Sequence, residues 1–110
     1  CLKLTIYRKT DHSEFHIGHF FLSPMPGCCG IVVSHGAFLT PENRHSGLRH
    51  AFRTIKPAIA KLLGYPMMIA TTVTHDIPAM GSFLRSKYNI VETFENSRTG
   101  NTVAIGVKKI

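Results

Sequence analysis

The stretch A-F-L-T-P-E-N-R-H-S-G-L-R-H-A-F, from Ala37 to Phe52, decides how the rest of the sequence is read. It begins as a short apolar strand, Ala37-Phe38-Leu39, and breaks at Thr40-Pro41. A polar loop, Glu42 to Gly47, opens into a helical pattern, with apolar residues at Leu48, Phe52, Ile55, Ile59 and Leu62. Steps of four, three, four and three place these on one face of a helix. A strand that delivers a glycine-containing loop to a helix N-terminus makes an anion site, because unpaired backbone N–H groups and the positive end of the helix dipole point the same way. Arg44 and Arg49 flank that turn, which points to a ligand bearing phosphate or pyrophosphate.

Around this centre the sequence alternates strand and helix signals. Leu2 to Lys9 alternates apolar and polar residues, as a half-buried strand does. Phe15 to Leu22 is a second strand, closed by Ser23-Pro24-Met25-Pro26-Gly27. A third apolar run, Cys29 to Ser34, continues through His35-Gly36 into Ala37-Phe38-Leu39, with Gly36 marking a bulge or a tight turn. The helix is expected from Arg44 to Leu63, capped by Gly64 and bent or divided by Pro57, with His45, Arg49, Arg53 and Lys56 on its outer face. Met67 to Val73 is then a buried strand, parallel to the one before the helix as a βαβ crossover requires. Asp76 and Pro78 start a second helix running to about Lys87. Ile90 to Glu95 and Thr102 to Lys108 form a hairpin turning at Gly100. The expected fold is α/β (α+β), a mixed and mainly antiparallel sheet with two helices, in the order βββ(β)αβαββ.

Composition fits one globular domain spanning residues 1–110: 44% of residues are hydrophobic and only 17% charged. No apolar run approaches the length of a membrane span. Cys1, Cys28 and Cys29 form no C-x-x-C pair and read as free thiols, which suits a reducing, cytoplasmic compartment. Lysine and arginine number 13 against 6 acidic residues, which suits an anionic partner such as a phosphate-bearing ligand, nucleic acid or an acidic protein face. His12, His16 and His19 cluster, but His16 and His19 should point to opposite faces of a strand, and no paired-ligand spacing supports a metal. No segment interleaves aromatic with basic residues as a single-strand platform would.

Pro41, Arg44 and Gly47 resemble the P-x-x-R-x-x-G-x-G/A signature of the GCN5-related N-acetyltransferases (GNAT), with Arg49 departing from its small last residue. Asp76 to Tyr88 is similar to a second motif of that family, N-x-x-A-x-x-L-Y-x-x-x-G-F; Ala79 matches, Asp76 replaces Asn and Phe83 replaces Tyr. The element order from Leu2 to Ile110 resembles the family core without its first strand and the two helices after it. The resemblance implies an acetyl-CoA-dependent N-acetyltransferase acting on an amine. Phe38, Leu39, Thr40, Arg44, His45, Ser46, Gly47, Leu48, Arg49, Thr72, Thr74 and Phe83 would then line the cofactor, with His35 or His75 as base. The family's acid near the cofactor sulfur is that Tyr, and Phe83 has no proton to give. Ser82 is adjacent but about 100° around the helix, while Tyr88 is expected to pack its ring on the final hairpin with its hydroxyl within reach of the cleft. The compact layout is also similar to short GNAT-like phage proteins, some of them virion components, so the competing expectation is a non-catalytic protein binding a macromolecule through its basic surface. An edge strand that pairs with a second copy would give a homodimer.

Overall fold

A computed structural model describes residues 1–44 and 47–110 of the chain, with the side chain of Arg49 also outside the description. Among these residues the chain folds as β1 (Leu2–Lys9), β2 (Glu14–Pro24), β3 (Ile31–Leu39), α1 (Leu48–Leu62), β4 (Met67–Val73), α2 (Ile77–Arg85), β5 (Asn89–Glu95) and β6 (Thr102–Lys109). The strands form one six-stranded sheet in the order β1-β2-β3-β4-β6-β5. Every neighbouring pair is antiparallel except β3 and β4, which flank the α1 crossover and run parallel.

Both helices lie on one face of the sheet. Phe20 and Leu22 of β2, Val32 of β3 and Met68 of β4 meet Phe52 and Ala60 of α1 and Phe83 of α2 in a single buried cluster. Arg53 of α1 also donates from its Nη2 to the carbonyl of Ala79 in α2, at 3.3 Å. No described residue lays a helix over the opposite face. The third apolar run is one strand, β3, so the first half of the sheet has three strands.

The ends of α1 follow from local chemistry. Its C-terminus closes with Gly64 at φ +94°, where a side chain would be strained. The N–H of Tyr65 bonds to the carbonyl of Ala60 and that of Gly64 to Lys61, satisfying carbonyls the helix leaves open. The helix starts at Leu48, four residues later than the sequence suggests, because Pro41–Asn43 forms a separate 3-10 turn. It also runs without interruption through Pro57.

The buried stripe of α1 is rotated from its expected position. Leu62 is 88% exposed and Ile55 is exposed too, while Phe52 and Ala60 are buried. Lys56 stands in that inward row, one turn from each, and is half-buried with its ammonium 5.5 Å from the centre of the Phe20 ring. Arg53 is likewise half-buried, between α1 and Phe83 of α2. Neither belongs to the outer face assigned to it from sequence. Their long aliphatic stems cover apolar surface, a contribution that a period count over apolar residues alone does not register.

Asp76 caps α2 as expected, accepting from the N–H of Ala79 at 3.1 Å, with Pro78 in the first turn. The final hairpin turns at Gly100, whose N–H bonds to the carbonyl of Asn96 at 2.7 Å.

Candidate functional site

The parallel ladder between β3 and β4 is short. It pairs Ile31 with Met67, Val32 with Met68 and Val33 with Ile69, and ends there. Beyond it β3 continues to Leu39 and β4 to Val73, so their C-terminal halves have no ladder between them. The separation begins where β3 is distorted. Its pairing with β2 passes from Phe21–His35 to His19–Phe38, so Gly36 and Ala37 together stand opposite Phe20. Gly36 has φ +64°, and a Cβ there would lie 2.5 Å from the Cδ2 of Phe21. A bulge of this kind bends a strand and re-aims its edge, which opens a cleft at the C-terminal ends of two parallel strands.

The turn at the mouth of this cleft is built from short contacts. Thr40 donates its N–H to the carbonyl of Ile17 at 2.9 Å, and its Oγ1 accepts from the side-chain amide of Asn43 at 2.6 Å. Arg44 folds back, donating from Nε to the carbonyl of Leu39 at 3.0 Å and placing its guanidinium 5.5 Å from the centre of the Phe38 ring. Gly47 at φ +83° caps α1 with no side-chain hydrogen bond, and the first turn holds no acidic residue. The N-terminal amides therefore keep their affinity for an anion. No atom lies within 4 Å of where a Cβ on Gly47 would stand, so the approach to those amides is clear. His45 and Ser46 lie outside the described residues, as does the side chain of Arg49.

Of the other expected cofactor residues, Leu39, Thr40, Leu48 and Phe38 gather at the end of β3 and the start of α1. Thr72 is buried in β4, and Thr74 is committed, its hydroxyl donating to the carbonyl of Thr102 at 3.2 Å. Phe83 does not line the cleft. It is fully buried, stacked on Tyr88 with ring centroids 4.4 Å apart and planes 3° from parallel. The tip of its ring fills the space where Gly106 lacks a side chain. The Tyr88 hydroxyl is also in the core, donating to the Sδ of Met68 at 3.1 Å, and burial raises its pKa. Neither ring offers a proton to the cleft.

His35 is exposed on β3 just before the bulge, its Nε2 2.7 Å from the Oγ of Ser23. His75 is exposed in the turn after β4. A cavity of about 480 Å³ adjoins the turn after β3, walled by Arg8, Glu14, Phe15, Ile17, Thr40 and Glu42. Sequence reasoning missed this cavity because its walls come from β1, from β2 and from the turn after β3. Among the described residues, no group of three His, Cys, Asp or Glu could hold a metal, and no helix is long and apolar enough to cross a membrane.

No protein-family sequence model matches the chain, and no curated protein matches it. Solved structures do. A candidate GNAT-family acetyltransferase from Desulfovibrio desulfuricans superposes with TM-score 0.77 at 18% identity, covering 97% of this chain and 68% of that one. The ribosomal-protein-S18-alanine N-acetyltransferase of Escherichia coli superposes at 0.76 and 9% identity, covering 98% of this chain and 69% of that one. The fold is that of the GNAT acetyltransferases. A GNAT-family acetyltransferase from Elizabethkingia anophelis, solved with acetyl-CoA bound, is similar at TM-score 0.75 and 11% identity, covering 93% of this chain and 72% of that one. The chain spans as little as 58% of the length of other acetyltransferase structures that it matches.

Proposed function

We propose that this domain is an acetyl-CoA-dependent N-acetyltransferase acting on an amine. The observation that carries the reading is the separation of β3 from β4 past Val33–Ile69, directly before an α1 N-terminus that is uncapped and unobstructed at Gly47. A pyrophosphate would rest on the α1 amides with Arg44 beside it, and the acyl arm would follow the free edge of β3 at Phe38 and Leu39. When bound, the cofactor supplies an electrophilic thioester carbonyl. Backbone N–H groups on the free edge would stabilise the oxyanion. His35 would take the proton from the amine, its imidazole oriented by Ser23, with His75 as the second candidate.

The cavity beside the turn supports an amine acceptor. The chain has only 6 acidic residues, and two of them, Glu14 and Glu42, face this space. Arg8 also lines the space, so these two acids leave it a small negative balance that suits a cationic amine, which must lose its proton before it attacks.

Calorimetric titration with acetyl-CoA tests the reading, with ADP as control. Saturable micromolar binding that requires the whole cofactor, abolished by Gly47→Asp in a variant that still unfolds cooperatively, is the expected result. Absence of binding at millimolar cofactor, or unchanged affinity in that variant, would overturn it.

A further inference from the structure

The face of the sheet opposite α1 and α2, on which no described helix lies, displays a continuous row of aromatic rings across β1, β2 and β3. Tyr7 meets His16 at 5.9 Å, His16 meets His19 at 5.6 Å, and His19 meets Phe38 at 5.3 Å and Phe21 at 5.7 Å; His35 lies on Phe21 at 5.5 Å. Two bulges assemble it. In β2 the register with β1 passes from Ile6–Gly18 to Tyr7–His16, and the added residue, Ile17, brings His16 onto the face that His19 occupies. In β3 the bulge at Gly36 and Ala37 does the same for His35 and Phe38.

Cations border the row. Lys3 places its ammonium 5.8 Å from the centre of Phe21, and Arg44 covers Phe38. Lys9 follows Tyr7 on the same side of β1, opposite Glu14, the acid at that end. Tyr7 remains 55% exposed and Phe38 39%. At the centre, the Nδ1 of His19 is buried without a hydrogen-bond partner among the described residues.

We propose that this face binds single-stranded nucleic acid, with bases stacking on the exposed rings of Tyr7 and His16 and phosphates running past Lys3 and Lys9. Sequence-tolerant single-strand sites combine these same two features, π-faces for bases and a cationic border for the backbone. The formal net charge of +7 draws a polyanion to the protein, and the rings select one that carries bases. This face is the reverse of the one packed by α1 and α2, and the inference stands apart from the acetyltransferase reading.

The test is fluorescence anisotropy of labelled twelve-nucleotide oligouridine and oligothymidine titrated with the whole chain, with polyglutamate of equal charge as competitor. Binding should saturate, persist against polyglutamate, and weaken about tenfold in Tyr7→Ala or His16→Ala. Lys3→Glu should weaken it and flatten its salt dependence. Tyr7→Phe and His16→Phe keep a ring and should bind like the parent, while Lys61→Glu on α1, which makes the same charge change, should have little effect. Absence of saturable binding overturns the proposal. So does equal displacement by polyglutamate, which would mark an acidic-protein surface. A loss with the Phe variants as large as with the Ala variants would overturn it as well.

Discussion

His16 and His19 stand three residues apart on one strand, yet their imidazole planes lie 6° from parallel with centroids 5.6 Å apart. An undistorted strand sends such residues to opposite faces, as the sequence reading assumed. The extra residue Ile17 reverses the alternation, and that one insertion joins the two rings.

The bulge in β3 depends on Gly36 in two ways, so Gly36→Ala should be costly. The substitution strains a backbone at φ +64° and drives a methyl group into Phe21. A loss of about 2–3 kcal/mol is expected from urea unfolding midpoints, against about 1 kcal/mol for Gly47→Ala, where φ is positive but space is open. Equal costs at the two positions would show that Phe21 yields freely.

Lys56 should act as a built-in destabiliser. Burial and then the neighbouring charge of Arg53 lower its pKa from 10.5 to about 8. The native state holds this proton less tightly than the unfolded chain does, so the penalty is full below about 8 and fades as pH rises toward 10.5. Lys56→Met should stabilise the domain by about 2 kcal/mol at neutral pH, allowing for partial exposure, and remove the alkaline rise in stability. A melting series from pH 7 to 10 checks this; a variant no more stable than the parent would refute it.

Acid should weaken the aromatic face. Desolvation among the rings, then the charges of Lys3 and His16, lower the His19 pKa below 6.5. Lys3 on β1 and His16 on β2 are the charged or titratable neighbours, while Phe21 and Phe38 add none. The unfolded chain therefore takes up this proton first, and stability falls as pH drops below 6.5. His19→Phe should reduce that acid sensitivity, read as the shift in urea midpoint between pH 7 and 5.

The cap of α2 offers a simpler measurement. Asp76→Ala removes the acceptor of the Ala79 N–H and should cost about 1 kcal/mol, while Asp76→Asn should recover most of it.

Most elements were legible because their signals are local. Asp76 with Pro78, Gly64 and the 2–9 alternation each act within a few residues, and the structure places each as read. The α1 face was misassigned because Lys56 and Arg53 bury stems while keeping charged heads. The aromatic row escaped notice for another reason. Its rings come from separate strands, and the two insertions that align them look like ordinary residues, Ile17 and Ala37. In the candidate site, Gly47 and the end of β3 were readable from the turn chemistry. The cavity at Glu14 and Glu42, by contrast, depends on a loop meeting a distant hairpin.

The seating of Phe83 also bears on how this protein's chemistry could change. Its ring ends against the bare backbone of Gly106 and lies flat on Tyr88. Adding a hydroxyl there by Phe83→Tyr would drive an oxygen into a filled socket with no acceptor, while leaving the cleft untouched. A phenolic acid is therefore not one substitution away. Placing a phenol in the cleft would require α2 itself to turn, so under the proposed acetyl transfer the proton for the leaving thiolate would come from a group other than this ring.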